Sequence, residues 1–453
     1  MKRSDRAAEQ TRPFTLLDPL HVVDWADDGS GVAVHDGLRW HIAGAAPGDI
    51  VAARVLARSQ HHPHGWARVE RWHRRNEEAH RLSFCPNASQ GGGKCDGCAL
   101  IHLHREAQSA AKLSAVQRAL ADLPYVPGRL QTLGTDEGWR NRSYFVCQRT
   151  DGRIKLGAWS GGSHEFATVD GCVAVHPDIE RLREKLELML NGHSLPQVVT
   201  DSLRYVQIRT GAGKALLVEW ISRADIGDAM ATLVPALETC APDASLWFAV
   251  NDSSGNVLRV AEAQHVSGPT SIPVRLGNRE WSIGPASFFQ LNAAVAEAMS
   301  ARVGDLAAQA GTVTWDLYSG VGILGAAAAD RGATVYGCDL VPEAVRSAAS
   351  RTEHHTAWKT MDLRNFQPPA EWPSPHAVIV NPPRRGLDVA VRDWLARAPI
   401  SRIVYMSCNP VSFQKDASWL LQNRSGLGLA GVEAWDMLPA TTHTELIGWF
   451  DVD

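Results

Sequence analysis

The sequence predicts a multidomain α/β protein with a small N-terminal β-barrel, a central α+β domain and a doubly wound C-terminal α/β domain. Short β-prone runs separated by turns fill the first part of the chain. Strand-like runs and a helix alternate irregularly in the middle, whereas the last part alternates strand and helix regularly. We place the three domains at residues 12–73, 74–271 and 272–453.

Composition excludes several classes of protein. Hydrophobic residues make up 45% of the 453 residues, which is enough to bury a large core and excludes a disordered chain. The 45 Lys and Arg against 49 Asp and Glu give a net charge of −4, which excludes bulk electrostatic coating of nucleic acid. We expect a cytoplasmic protein without a membrane partner, because we find neither a membrane-length apolar run nor a signal peptide.

In the first domain we predict five short strands between Phe14 and Trp72, separated by turns that contain Gly and Pro. This pattern is typical of a small barrel. Basic residues are concentrated toward its end, where a single acid, Glu70, lies among them. This run is equally consistent with a solvated edge and with a surface facing phosphates. Its arginines are Arg54, Arg58, Arg68, Arg71, Arg74 and Arg75.

The second domain contains four cysteines that could share a metal. A Cys-x-x-Cys pair alone could be a redox pair or half of a zinc site, but two further cysteines favour metal binding. Zinc and an iron–sulfur cluster both remain open from the spacing. The four candidate ligands are Cys85, Cys95, Cys98 and Cys172.

The same domain carries a helix over about residues 105–121 and strands whose order predicts an antiparallel sheet. Residues 139–155 interleave basic and aromatic side chains. Arg140 and Arg142 are therefore candidate contacts for unstacked RNA bases, although a solvated strand face gives the same pattern.

The third domain begins its strand–helix alternation with a Gly-x-Gly turn. Gly320 and Gly322 follow a strand and precede a helix, so the backbone can approach a ligand closely. The spacing of a third glycine fits a dinucleotide poorly and favours S-adenosylmethionine, with an incidental crossover as the alternative. In this interpretation Asp316 meets a cationic ligand, Asp339 binds ribose hydroxyls and Asp362 faces adenine.

A thiol and two polar groups follow strands of the same domain. Cys408 comes directly after an apolar strand, and Pro410 opens a helix whose N-terminus we expect to lower the pKa of the thiol. A lone cysteine is more often a small buried hydrophobe, but its position favours a nucleophile. Asn381 and Arg384 follow the preceding strand, and Glu445 could reach the same cleft.

These motifs together resemble the uracil-C5 RNA methyltransferase family, in particular its 23S ribosomal RNA branch. The resemblance covers nearly the whole chain. It rests on five motifs: Ser287–Asn292 (SFFQLN), Asp316–Gly322 (DLYSGVG), Asn381–Gly386 (NPPRRG), Ser407–Pro410 (SCNP) and His443–Glu445 (HTE).

The resemblance implies a class I methyltransferase fold, preceded by an RNA-binding barrel of the TRAM type. It also implies that Gln290, the loop around Tyr318, and Asp339 bind S-adenosylmethionine. Cys408 is then the nucleophile and Glu445 the general base, and the four cysteines carry a [4Fe–4S] cluster. The expected partner is 23S rRNA with one uridine turned out of its structure, and we expect a monomer.

The sequence departs from the family pattern in three places. Asn381 stands where aspartate is common, so we give it a role in positioning the base and in the cofactor site rather than in proton removal. Ser319 stands where cysteine is common, and the gap between Cys85 and Cys95 is longer than usual.

Three alternatives have distinct sequence signatures. An amino-group methyltransferase would carry an aromatic residue at the position of Arg384, and Cys408 would then have no catalytic role. A non-catalytic iron–sulfur RNA-binding protein would have no need of the intact Cys408 and Glu445. A tRNA substrate is disfavoured by the cysteine set and by the barrel.

Overall fold

The computed structural model describes residues 15–452 apart from 83, 162, 164, 193, 256–261 and 351–355. The predicted start of the first domain at residues 12–14, a helix end at Arg351, and residue 453 lie outside the described residues. The described chain forms three large sheets and one separate hairpin.

The N-terminal sheet has six strands. They are β1 (Leu16–His21), β2 (Asp24–Trp25), β3 (Gly31–His35), β4 (Leu38–Ala43), β5 (Ile50–Arg58) and β6 (His64–Arg74), in the order β1-β5-β6-β4-β3-β2. The predicted closed barrel is wrong, because no ladder joins the edges β1 and β2 among the described residues. Strands β1 and β2 follow each other along one stretch of chain without a turn, so they do not pair with each other. Instead, β1 pairs with β5 and β2 pairs with β3, at opposite edges of the sheet.

The central sheet has seven strands in the order β10-β9-β8-β11-β12-β13-β14. The expected antiparallel arrangement holds except between β12 and β13, which are parallel because a helix connects them. Its strands are β8 (Arg142–Thr150), β9 (Arg153–Trp159), β10 (Phe166–Ala167), β11 (Leu203–Thr210), β12 (Leu216–Ser222), β13 (Ser245–Val250) and β14 (Gln264–Ser267).

The C-terminal sheet has eight strands in the order β19-β18-β17-β20-β21-β23-β22-β7, and the first five are parallel. A hairpin of β15 (Ile272–Leu276) and β16 (Arg279–Ile283) precedes it. The strands are β7 (Leu130–Gln131), β17 (Val313–Leu317), β18 (Thr334–Asp339), β19 (Thr356–Thr360), β20 (Ala377–Val380), β21 (Arg402–Ser407), β22 (Leu427–Trp435) and β23 (Glu445–Val452).

Helices cover both faces of this sheet. Along β21, Ile403 and Tyr405 face one apolar core and Val404 and Met406 face another, as the period of two requires. The predicted doubly wound arrangement is therefore present. The helices of the described chain are α1 (Arg105–Ala119), α2 (Pro177–Leu190), α3 (Gln197–Ser202), α4 (Met230–Cys240), α5 (Ala293–Ala307), α6 (Ile323–Ala329), α7 (Pro342–Ala349), α8 (Val389–Leu395) and α9 (Pro410–Asn423). Short 3₁₀ turns lie at Ser89–Gly91, Ala212–Lys214, Gly227–Ala229 and Leu363–Asn365.

Helix α1 packs against the C-terminal sheet and strand β7 extends its edge, although both precede the rest of the sheet by a long stretch of chain. Val116, Leu120 and Leu123 lie in the same apolar core as Val380 and Tyr405. Strand β7 pairs with β22 at the edge of the sheet. The sheet is thus completed by residues from the middle of the sequence.

No helix of the described residues combines the length and the apolar character that a membrane crossing needs.

Trp358 on β19 packs over the start of α6. Added Cβ atoms at Gly322, Gly325 and Gly337 would all meet its indole ring at less than van der Waals distance. The three glycines therefore leave the space that this ring fills, and the ring fixes the loop between β17 and α6.

We expect Gly337→Ala to lower the free energy of unfolding by about 1–3 kcal/mol, because its methyl group would overlap the Trp358 ring. Gly428→Ala is the matched control, since the nearest atom to its added Cβ is 4.0 Å away. Denaturant unfolding of both variants measures the difference. Equal stability of the two would contradict this account of the packing.

Candidate active site

The candidate site lies where the parallel strands of the C-terminal sheet end. Cys408 follows β21 directly. Strand β23 runs antiparallel to β21, and Ser407 pairs with Leu446. The residue before Leu446, Glu445, therefore lies beside Cys408 at the same edge, as the sequence predicted for both residues.

A narrow cavity next to this edge is lined by four of the eight predicted cofactor residues. Gln290, Tyr318, Gly320 and Asn381 all line it. Apolar side chains, including Met299 and Leu324, form the rest of its wall. A ligand with both polar groups and an aliphatic chain fits such a lining.

Two predicted acids shape the glycine loop of this cavity. The Asp339 carboxylate accepts the Gly320 N–H at 2.8 Å and the Val341 N–H at 2.9 Å. Asp316 lies beneath the loop, fully buried, and accepts the Gly325 N–H at 2.8 Å. Burial raises the pKa of Asp316 to about 7, and among the described residues its Oδ1 has no hydrogen-bond partner.

Asp362 and Tyr318 complete the set of predicted cofactor residues. Asp362 follows β19 at the same edge and binds Arg364, which lowers the pKa of its carboxyl group. Tyr318 adopts a left-handed backbone with φ of 61°. Its hydroxyl donates to the Asp388 carboxylate at 3.2 Å and accepts from the Asp388 N–H at 3.0 Å.

A second cleft contains the thiol. Cys408, Arg384, His443 and Thr444 line it together with Ala115 and neighbouring residues of α1. Asp27, in the turn between β2 and β3 of the N-terminal sheet, also lines it.

The electrostatics of the thiol differ from the expectation. Burial and the neighbouring Glu445 charge raise the pKa of Cys408, and Arg384 partly offsets them. The predicted lowering of the thiol pKa by the helix N-terminus is therefore wrong, because burial and the Glu445 charge outweigh it. Burial also raises the pKa of Glu445 to about 8, against the opposing effect of Arg384.

Cations surround this cleft. Burial lowers the pKa of His443, and the charges of Arg384, Lys112 and Arg140 lower it further. Arg140 also lies over the Trp139 ring, 5.1 Å from its centre. The other predicted RNA contact, Arg142, begins β8 and pairs in register with Arg209 of β11.

The cofactor cavity depends on the central sheet. The buried Arg209 guanidinium donates to the carbonyls of Gly284 (3.1 Å) and Ser287 (2.9 Å). The Asn141 amide donates to the Gln290 carbonyl at 2.9 Å. These bonds fix the backbone of residues 284–290, at the end of which Gln290 reaches the cavity.

The four predicted metal ligands, Cys85, Cys95, Cys98 and Cys172, line one small cavity. Burial and mutual repulsion of the thiolates raise the pKa of Cys98 to about 12. Across the described residues, however, no group of three or more Cys, His, Asp or Glu side chains is arranged to hold a metal ion.

Sequence analysis missed several residues that the structure brings into the site. Asp388 orients Tyr318, Arg209 supports the Gln290 segment, and Lys112 acts on His443. Each belongs to an element distant in sequence from its partner, and no local motif marks it.

A parallel sheet with a glycine loop, two loop-shaping acids and a cavity beside its carboxyl edge is the ligand-binding arrangement of a doubly wound α/β domain, and it fits the predicted class I S-adenosylmethionine-dependent methyltransferase. The particular family comes from comparison with known proteins. The chain is 31% identical over 457 residues to the 23S rRNA (uracil(1939)-C(5))-methyltransferase RlmD of Pseudomonas fluorescens Pf0-1, covering 95% of this chain and 91% of the relative. It belongs to the S-adenosylmethionine-dependent RNA uracil-C5 methyltransferase family.

Two other known proteins match this chain over nearly its whole length. An uncharacterized RNA methyltransferase of Geobacter sulfurreducens is 28% identical, covering 98% of this chain and 92% of the relative. The solved tRNA (uracil-54, C5)-methyltransferase of Pyrococcus abyssi, bound to S-adenosyl-L-homocysteine, shares the fold with a TM-score of 0.72. Its sequence is 23% identical, and the match covers 95% of this chain and 100% of that structure. No family model matches the chain.

For a reaction that uses Glu445 and Cys408 in their ionised forms, we expect the single-turnover rate, measured at saturating RNA, to rise with pH through about 8 as Glu445 ionises and to go on rising as Cys408 ionises, because burial raises both pKa values. Arg384→Met removes the cation that lowers both pKa values, so its profile should move to higher pH. A displacement of one pH unit would lower the rate at pH 7 about tenfold. Arg384→Lys keeps a cation and serves as the control. An unchanged profile in Arg384→Met would refute the electrostatic role.

Proposed function

We propose that this enzyme methylates carbon 5 of one uridine in 23S rRNA, with Cys408 as the nucleophile and Glu445 as the base. The observation that carries the proposal is the register of β21 and β23, which sets a thiol and a buried carboxylate side by side. The relatives named as 23S rRNA methyltransferases favour ribosomal RNA as the substrate.

Uracil carbon 5 is a weak nucleophile, so the enzyme must first activate the ring. The Cys408 thiolate adds to carbon 6, and the electrons of the 5,6 double bond move onto the carbonyl oxygen as an enolate. Arg384 holds the thiolate by charge before this addition. Carbon 5 then takes the methyl group, so carbon 5 carries both the methyl and its original hydrogen.

Glu445 completes the reaction by taking the proton from carbon 5. The electron pair of that C–H bond re-forms the double bond, and the bond between carbon 6 and sulfur breaks to release Cys408. Burial suits Glu445 to this task, since its raised pKa makes the carboxylate a stronger base.

S-adenosylmethionine would supply the electrophilic methyl group when bound, and it would leave as S-adenosylhomocysteine, whose sulfur keeps the electron pair of the broken S–CH3 bond. The lining of the narrow cavity fits it, since polar groups stand beside aliphatic ones. The residues we assign to it are Gln290, Asp316, Tyr318, Gly320, Gly322, Asp339, Asp362 and Asn381. Asp316 and Gly322 contribute indirectly, by shaping the glycine loop between β17 and α6. The Asn381 amide also faces the uracil edge.

The RNA approaches through the cationic cleft. Arg384 is the proposed contact within it and Arg140 the proposed contact beside it, because both charges act on His443 in the cleft wall. Arg142 on β8 and the basic end of the N-terminal sheet extend the contact surface. In this proposal residues 12–73 bind RNA, 74–271 orient it and 272–453 carry the chemistry, in a monomer.

We include a [4Fe–4S] cluster in the proposal. Four thiols line one cavity, and a set of four thiolates can hold either zinc or an iron–sulfur cluster. The family resemblance favours the cluster. Arg140 links the two sites electrostatically, since its charge acts on both Cys98 and His443. The cluster would orient RNA or support the fold rather than react.

Purified enzyme, incubated with labelled S-adenosylmethionine and unmodified 23S rRNA, should yield 5-methyluridine. Unmodified tRNA in a parallel reaction should remain unlabelled. Cys408→Ala should abolish turnover, and Glu445→Gln should lower it at least about 10²-fold while a covalent RNA–protein complex accumulates. Methylated adenine or cytosine, or faster labelling of tRNA, would reject the proposed substrate.

Anaerobic purification should give a brown protein with about four irons per chain. Cys98→Ala should lose most of this iron and its absorbance, whereas Cys240→Ala, which changes a cysteine outside the cavity, should keep both. A measurement of one zinc and no iron per chain would contradict the cluster and show that the four cysteines bind zinc.

A further inference from the structure

The segment 436–444, called here the base loop, joins β22 to β23 and delivers Glu445 to the site. It makes a tight internal turn: the Leu438 carbonyl accepts the Thr441 N–H at 3.2 Å and the Thr441 hydroxyl at 2.8 Å. Ala440 has φ of 60°, in the left-handed region that favours glycine. This conformation requires support from outside the loop.

Lys112 of α1 supplies part of that support. Its side chain is fully buried, and Nζ donates to the Asp436 carboxylate at 2.5 Å and to the Leu438 carbonyl at 2.8 Å. One ammonium group therefore ties together the first residue of the base loop and the carbonyl on which its turn closes.

Gln108, one turn earlier on α1, holds the strained residue. Its Oε1 accepts the Ala440 N–H at 3.0 Å, and its Nε2 donates to the Leu103 carbonyl at 3.0 Å. The Ala440 carbonyl in turn accepts the Leu100 N–H at 2.9 Å. Both backbone groups of Ala440 are thus held by residues 100–108.

A buried ion pair is a poor device for stability alone. Removing two charges from water costs several kcal/mol per ion, and apolar pairs of similar volume often stabilise a fold equally well. What Lys112 offers beyond packing is geometry, since its donors point at two atoms of the base loop.

We propose that Lys112 is a positioning residue that, together with Gln108, holds the base loop so that Glu445 stays beside Cys408. This inference rests on the proposed function, because it assigns Lys112 to the step in which Glu445 takes the proton. Cys408 is carried by β21 and α9, and the cofactor cavity is built from other loops. Loss of Lys112 should therefore slow proton removal and spare the earlier steps.

The test compares Lys112→Met with Lys185→Met, an exposed lysine on α2. We measure turnover, the dissociation constant of S-adenosylmethionine, thermal unfolding, and the RNA–protein complex that survives denaturing gels. In Lys112→Met, turnover should fall about tenfold or more. The covalent complex should accumulate, and cofactor affinity should stay within about twofold of the unmodified enzyme. Lys185→Met should match the unmodified enzyme in all four.

Unchanged turnover in Lys112→Met, or a parallel loss of turnover and covalent complex, would overturn the proposal. If Lys112→Met does not fold, Lys112→Met/Asp436→Leu removes both charges and leaves neither unpaired. Gln108→Met removes only the bond to Ala440. Both variants should accumulate the covalent complex, and normal turnover in both would also overturn the proposal.

Glu445→Gln separates this inference from the proposed function. If Glu445→Gln turns over normally, the assignment of the base fails whatever Lys112 does. If Glu445→Gln accumulates the complex and the folded Lys112 variants do not, only the positioning role fails.

Discussion

The antiparallel return of β23 beside β21 is the constraint on which the site depends. A parallel strand would enter at the opposite edge and carry its first residue away from Cys408. Because β23 runs the other way, its first residue, Glu445, is delivered to the edge where β21 ends. Hydrogen bonds between two strands thus fix a pair of side chains that lie far apart in sequence.

The walls of the site come from parts of the chain outside this sheet. Strand β11 supports the segment that carries Gln290 through Arg209, and helix α1 supports the base loop through Lys112. Both supports are buried cations that donate to backbone carbonyls. Such bonds set loop geometry without relying on the loop's own sequence, and they make the catalytic sheet dependent on the segments that precede it.

Sequence alone predicted the strand-end residues well, because periodicity locates a strand and a parallel sheet gathers its carboxyl ends. The positions of Cys408 and Asp339 followed from this rule. It could not predict the open N-terminal sheet or the parallel pairing of β12 with β13, since both depend on partners chosen over long distances. The pKa of Cys408 was mispredicted for a related reason: burial and Glu445 act through the fold, not through the adjacent helix.

The placement of α1 has a consequence for the order of synthesis. Val116 of α1 and Leu120 directly after it pack against strands of the C-terminal sheet, which the ribosome makes much later. The nascent chain therefore carries this helix without its packing partner until β20 and β21 emerge. The packing of this helix is therefore completed only after most of the polypeptide has been made.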